Sequence, residues 1–434
     1  MQDPVVDKIV AHLGRVATGG VPEAARRAAT IFIADTLGVG IAGAAAPWRD
    51  EVLSAAASGG GAAEASVWGG GGKLPLAPAA TVNAYQTHCQ EFDCVHEGAV
   101  VHPMAAVLPC LVGWSERDGG VSGDNFVRAA VAAVDVAATL GLCSRAPMRF
   151  FRPANAGGFG AVAGLALLAG LDETHIRNAF GIYYGACAGT MQAHIEASPQ
   201  LAMQVGFAAR SAVTAVELAA RGMPGPQAPI SGPFGYFALF DGSADPAPFD
   251  ALGRDWRIRE VSHKPFPSGR ATHGGIDALQ RLCVRAAEVT GGRFLVPPLT
   301  RRLVGRPARP EMTAAYARLC LPFVGAVCLR NGTVGLGDFT DAARADPETL
   351  ALAARLSVVE DGNPDPNALA PARVELDLAD GRTVSCDVAD VLGSPARPLS
   401  PEQARAKFDA CGGPAALWDT AMTLDRQNTV RWDF

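Results

Sequence analysis

Over the first 240 or so residues, apolar positions recur at helical spacing, broken by short polar or glycine-containing stretches. Pro22 suits a first helical turn, where its missing N–H costs nothing, and an amphipathic helix is predicted from there to Gly38. Ser122-Gly123-Asp124 predicts the start of a long helix over 125–141. A short, Ala-rich apolar helix is predicted over 160–170. Another runs over 203–221 and ends at Gly222. Small side chains let helices approach closely, so a tightly packed bundle with few exposed faces is expected. The Gly/Ala-rich stretch 55–63 reads as a loop.

The pattern changes near Lys264. Residues 357–360 and 373–378 carry β-branched side chains or period-two alternation. Asp380-Gly381 is a hairpin signal, with 383–388 as the return strand. Helices are predicted between them, over 276–289 and after Asp346-Pro347. Ser400-Pro401-Glu402-Gln403 reads as a capping box that opens a last helix. The expected fold class is mainly α: a large all-helical domain (1–263 and 395–434) and a smaller α+β domain (264–394).

A length of 434 residues favours two domains over one core. With 49% apolar and 18% charged residues, the chain is suited to a large buried core. The formal charge of −6 and the lack of a basic stripe argue against nucleic acid as partner. A carboxylate substrate must therefore be held by local positive charge. The first ten residues include acids and no apolar core of a leader. The longest apolar stretch, near 129–142, contains Asp135 and falls short of a span. A cytoplasmic enzyme without membrane contact is the expectation. The ten cysteines are scattered with no C-x-x-C pair, which favours buried structural thiols.

Four clusters carry candidate chemistry. The first packs three histidines and three acids into fifteen residues: His88, Glu91, Asp93, His96, Glu97 and His102. His88, Glu91, Asp93 and His96 offer donors that a first-row metal accepts. No helical H-E-x-x-H is present, so a hydrogen-bonded network without metal is the reading adopted. The second is Arg145, Arg149 and Arg152, among Met148, Phe150 and Phe151, where a guanidinium is costly unless paired and suits a carboxylate. They precede glycines 157, 158 and 160, which lack the strand of a dinucleotide site and suit close packing or a helix N-terminus that binds a carboxylate. The third is Gln192, His194, Glu196 and Gln204. The fourth is His263-Lys264-Pro265-Phe266-Pro267-Ser268-Gly269-Arg270 with His273 and Asp277. Lys264 lies at the predicted domain boundary, where sites tend to form and where burial can tune a lysine as a base.

The order of these residues resembles the MmgE/PrpD family: Asn83, His88, Phe92-Asp93 and His102-Pro103; then Phe151-x-Pro153 and Gly157-x-Phe159-Gly160; then Gly206-Phe207-Ala208-Ala209 and Gly225-Pro226; then Lys264-x-Phe266-Pro267, His273 and Asp277-Ala278; and a tail with Asp380-Gly381 and Pro398-Leu399-Ser400. The resemblance spans nearly the whole chain. It implies an all-helical domain, an α+β lid, a crevice site between them, no cofactor and a homodimer. Family activities include 2-methylcitrate dehydratase, cis-aconitate decarboxylase and iminodisuccinate epimerase. The chain departs from the dehydratase and decarboxylase pattern at Glu91-Phe92-Asp93-Cys94-Val95, at Arg152 in place of histidine, at Leu201 and Gln204 in place of a lysine and a histidine, and near Ser268-Gly269.

Those departures deplete groups that would assist a leaving hydroxyl or carboxylate. The expected function is therefore cofactor-independent epimerisation of a small, iminodisuccinate-like dicarboxylate. Such a reaction needs an acid and a base on opposite faces and charge stabilisation of an enediolate. Lys264 and His102 are the expected proton-transfer pair, oriented by Glu91 and Asp93. Arg152 and Arg149 are expected to clamp a carboxylate. His88, His96, Gln192, His194, Gln204, Ser268, Arg270 and His273 are the expected binding residues. The alternatives are a lyase, either dehydratase or decarboxylase, and a non-catalytic carboxylate binder.

Overall fold

A computed structural model describes residues 3–365 and 367–434. Its larger part is a bundle around the helices Leu76–His88, Pro103–Asp118, Gly123–Leu142, Arg152–Leu168 and Gln200–Ala220, with Glu23–Ala42 against it. Pro22 is the residue before its helix rather than the first inside it. Ser122 caps as the sequence suggests, its hydroxyl accepting from Asn125 N–H at 3.3 Å. The glycines after Arg152 lie within a helix longer than expected. A Cβ on Gly160 would stand 2.5 Å from the Ala133 carbonyl, so close packing explains it. The 55–63 stretch is part helix, since Arg49–Ala57 continues into it.

Two helical stretches, Glu23–Ala45 and Gly123–Leu142, are long and apolar enough to cross a membrane, yet they are 67% and 83% buried within the fold. The second carries Asp135, which accepts from Arg257 N–H at 2.7 Å and lies 3.1 Å from His12 Nε2. These are core helices.

The smaller part holds a four-stranded sheet in the order Leu356–Glu360, Val289–Val296, Ala372–Leu378, Thr383–Val388. The first pairing is parallel and the other two are antiparallel. Gly381, at φ 85°, makes the predicted hairpin turn. The strand Val289–Val296 is a correction: the helix predicted over 276–289 is His273–Leu282, and Cys283 in the left-handed region ends it. Gly291-Gly292 weaken the strand signal there. The helices His273–Leu282 and Leu321–Asn331 pack on this sheet.

The capping box at Ser400 forms, with Gln403 N–H donating to Ser400 Oγ at 3.2 Å and Ser400 N–H to Gln403 Oε1 at 2.9 Å. The last helices, Pro401–Ala410 and Ala415–Met422, lie against Glu23–Ala42. Lys407 fixes them there. Its buried ammonium lies 2.7 Å from Asp35 and donates to the Phe92 carbonyl at 2.8 Å, between Glu91 and Asp93.

Lys407→Met should lower unfolding free energy by about 3–5 kcal/mol, the usual cost of leaving one partner of a buried pair uncompensated. Denaturant unfolding measures it. A midpoint within error of the parent would mean that Asp35 finds water or another partner.

Candidate functional site

The chain makes three turns to build the site. His88 ends the helix Leu76–His88, and Glu91 N–H returns to the His88 carbonyl at 3.1 Å. Glu91 takes φ 51°, a conformation costing a non-glycine residue roughly 1–2 kcal/mol. A reciprocal bridge follows, Val95 N–H to Ser262 O at 3.0 Å and Ser262 N–H to Val95 O at 2.7 Å. It sets residues 91–95 beside 262–264. A second reciprocal pair, between His96 and Val101, folds the chain back and places His102 at the N-terminus of Pro103–Asp118.

Five side chains meet as a result. His88 Nδ1 and His102 Nδ1 each lie 2.9 Å from the same oxygen, Asp93 Oδ2. Lys264 Nζ donates to Glu91 Oε2 at 2.9 Å and lies 3.8 Å from Asp93 Oδ1. Lys264 and Asp93 have no exposure, while His102 keeps 12% of its side chain open. His88, Glu91 and His102 border a cavity of about 60 Å³, walled by Val95, Val100, Met148, Phe151, Leu201 and Leu319 among others.

Burial and charge push these groups apart. Burial opposes a charge on His88, but Asp93 and then Glu91 outweigh it, and its pKa rises. Burial dominates at His102, with Lys264 and His88 opposing the pull of Asp93, and its pKa falls. Burial alone would raise both carboxyls. Lys264, His88 and His102 instead bring Glu91 down to about 2, and His102, His88 and Lys264 hold Asp93 well below the usual range. Two imidazoles on one carboxylate thus differ in basicity, the pattern that separates an acid from a base. Both face ionised Asp93 through Nδ1, so neutral His102 presents a bare Nε2, while the raised pKa of His88 favours the form in which its Nε2 carries hydrogen. That atom is buried without a partner.

The N and O atoms of His88, Asp93 and His102 lie within 4.8 Å of one another, a spacing that a metal could use. Their hydrogen bonds converge on one oxygen, and the Lys264 ammonium beside the other would repel a dication. The network reading is retained.

Other expected site residues go elsewhere. Arg152 does not border the cavity; its guanidinium donates to the Ala99 carbonyl at 3.2 Å and to Asn367 Oδ1 at 3.1 Å. Arg149 is exposed. His96 pairs with Glu260 at 2.9 Å and accepts from Ala99 N–H. Exposed Gln192 bonds Glu196. Gln204 holds both backbone groups of Thr190. Ser268 shares a 2.7 Å bond with Thr272. His273 is a satisfied core histidine, 3.1 Å from the Ser268 carbonyl and 3.4 Å from Arg270. Arg270 borders the cavity, but it donates to Glu97 and to the carbonyls of His263 and Leu392. His194 does border it; burial, then Arg306, brings its pKa to about 4.

Arg306 was missed. It donates to the His194 carbonyl at 3.1 Å, its Nη1 is buried without a partner, and it lines an outer cleft with Arg301 and Arg302. The available signal was four arginines within 301–309. Arg318, buried and brought to about 10 first by burial, was missed too; it donates to the Pro267 carbonyl at 2.7 Å.

With this geometry in view, comparison with known proteins gives the lineage. The MmgE/PrpD N-terminal domain model matches residues 7–248 and the C-terminal domain model residues 266–419. The chain belongs to the MmgE/PrpD family. Similar members of the family include the cis-aconitate decarboxylases of Mus musculus, 27% identical over 91% of this chain and 83% of the relative, and Homo sapiens, 26% over 91% and 84%. That of Aspergillus terreus (strain NIH 2624 / FGSC A1156) is 23% identical over 98% and 94%. These MmgE/PrpD relatives are lyases by name, so the lyase alternative fits this chain better than an epimerase.

The cluster predicts two separable titrations. In NMR of ring-labelled protein, His88 should titrate above the ordinary histidine range and His102 below it. A shared midpoint near 6.5 would refute the assignment of different protonation states. For stability, His88 contributes below its unfolded pKa and loses that contribution as pH rises through its raised folded pKa. Glu91 contributes above its unfolded pKa and loses it as pH falls towards about 2. Asp93→Asn should flatten both limbs of the stability–pH curve. Arg152→Lys should lower thermal stability yet change KM less than about threefold, since the bonds it weakens are structural and worth about 1–3 kcal/mol. A tenfold rise in KM would restore Arg152 to substrate binding.

Proposed function

We propose that the protein is a lyase that decarboxylates a small unsaturated polycarboxylate of the cis-aconitate type. One observation carries this reading: the proton-donating His88 borders a cavity whose walls are mostly apolar and from which the Arg152 guanidinium is turned away. The expectation of an epimerase rested on the depleted polar positions and on Arg152 as a carboxylate clamp, and the second of these supports is gone. A carboxylate among Val95, Val100, Met148 and Phe151 loses hydration, whereas CO₂ leaves neutral and needs no acid.

The step balances without a cofactor. In a β,γ-unsaturated acid, the C–C bond to the departing carboxylate breaks. Its electron pair forms a new double bond, and the former double bond takes a proton at its far carbon. His88 supplies that proton through Nε2, held by Asp93 at Nδ1. Lys264, which does not border the cavity as His88 does, keeps Glu91 ionised beside His88. Neutral His102 offers Nε2 to accept a hydrogen bond from substrate or water. A remaining carboxylate is drawn by the Arg302 and Arg306 cleft beside His194, which sets positive charge at the outer side of the site. On this reading the proton-transfer role expected of Lys264 falls to His88, and Lys264 is a positioning residue.

Incubation with cis-aconitate in D₂O should release CO₂ and give an unsaturated dicarboxylate with one deuterium on carbon. His88→Gln should reduce kcat by about 10²–10⁴, as loss of a general acid does. Lys264→Met should reduce kcat as well and raise the pKa of the acid limb. No CO₂ from this acid, together with deuterium exchange and inversion of a chiral dicarboxylate, would replace the decarboxylase by the epimerase.

A further inference from the structure

The catalytic cluster has a second side. His88, Glu91, Leu201 and Leu319 border not only the 60 Å³ cavity but also a larger one of about 180 Å³ that reaches Trp48 and Tyr85. About 150 Å³ of apolar space is enough to hold a benzene ring. Its walls include Pro47, Trp48, Pro199, Ala202, Ala314 and Ala315. Trp48 is held at φ 68°, a left-handed conformation unusual for a large side chain, and is 56% exposed at the mouth.

Apart from His88, whose Nε2 lacks a partner, the charged and phenolic groups along this cavity are already engaged. The Tyr85 hydroxyl donates to the Pro47 carbonyl at 2.8 Å. Arg344 donates to the Met312 carbonyl at 2.9 Å and to that of Phe339, and it pairs with Asp341 at 2.6 Å. Burial pushes the Cys89 thiol up to about 12, so it stays neutral. A carboxylate in this space would face Glu91 at one end and Asp341 at the other, with no unpaired cation among the described residues that line it.

We propose that this cavity is a substrate subsite for an uncharged apolar arm, an alkyl or aryl group carried by the acid that reacts at His88. Within the proposed class of unsaturated polycarboxylates, the preferred substrate then carries an apolar substituent in addition to its carboxylates. This rests on the reading of the His88 cluster as a carboxylate-acting site. Each methylene buried there multiplies affinity by about fourfold.

Calorimetry with two probes tests it: succinate and 2-benzylsuccinate, on the full chain. Benzylsuccinate should bind at least about tenfold more tightly. Ala315→Phe, which fills the cavity from a half-buried position, should bring the ratio below about twofold and leave succinate affinity unchanged. Trp48→Ala, which removes a largely exposed wall, should lower the ratio too and gives a second route should the first variant fail to fold. A ratio near one in the parent, no benzylsuccinate binding at millimolar concentration, or an unchanged ratio in both variants overturns the subsite. The two claims fail separately. CO₂ release from cis-aconitate without preference for the benzyl arm refutes only the subsite. Preference for the arm without CO₂ release refutes only the reaction.

Discussion

A carboxylate with no exposure, Asp93, is the constraint on which the junction of the two parts depends. An isolated charge there would be costly enough to protonate or to unfold its surroundings. It survives because three groups from separate segments converge on it: His88 at a helix end, His102 at a helix start and Lys264 from the edge of the smaller part. Each segment is steered by backbone bonds, Glu91 to His88, Val95 to Ser262 and His96 to Val101. Lys407 adds a further hold on the Phe92 carbonyl from the last helices. Loss of the charge at Asp93 would remove the reason for all these segments to meet.

The same convergence sets the chemistry. One carboxylate serves two imidazoles, but the second carboxylate, Glu91, and the ammonium of Lys264 are placed unequally with respect to them. Glu91 Oε1 is 3.9 Å from His88 Nε2, which favours the imidazolium there. His102 is more strongly governed by burial and by the positive charge of Lys264 and His88, which favours the neutral ring. An acid and a base therefore arise from one residue type by position alone.

The five-residue cluster was legible in the sequence because charge is dense at 88–102 in an otherwise apolar region, and because Lys264 stands at a change of pattern. The direction of each side chain was not legible. Arg152, Gln204, Ser268 and His273 look chemically able, but groups of the protein itself take up their hydrogen bonds: the Ala99 carbonyl for Arg152, the Thr190 backbone for Gln204, the Thr272 hydroxyl for Ser268 and the Ser268 carbonyl for His273. A polar residue satisfied locally and one aimed at a ligand read alike until the fold brings partners near. The strand Val289–Val296 was hidden for another reason. Two glycines dilute its alternation, and its pairing depends on strands sixty or more residues later. Helix capping at Ser122, Asp346 and Ser400 was readable because each cap is settled within three residues.

The position of Arg152 changes the reading of the whole site, because a charge counts by where it points. A guanidinium in the cavity would have stabilised a carboxylate ground state and made loss of CO₂ harder. Tied to Ala99 and Asn367, it joins the helical part to the smaller part and adds no charge to a cavity whose bordering guanidinium, Arg270, is already paired with Glu97. Positive charge lies instead at Arg302 and Arg306 in the outer cleft, where, on the proposed reading, it attracts an anion without solvating the bond that breaks. On the opposite side Arg344 is neutralised by Asp341, so the space beyond Glu91 stays uncharged as well as apolar. On the proposed reading, a ligand in both cavities would lie with its charged end towards the cleft of Arg302 and Arg306, its reacting carbon at His88 and its apolar end towards Trp48.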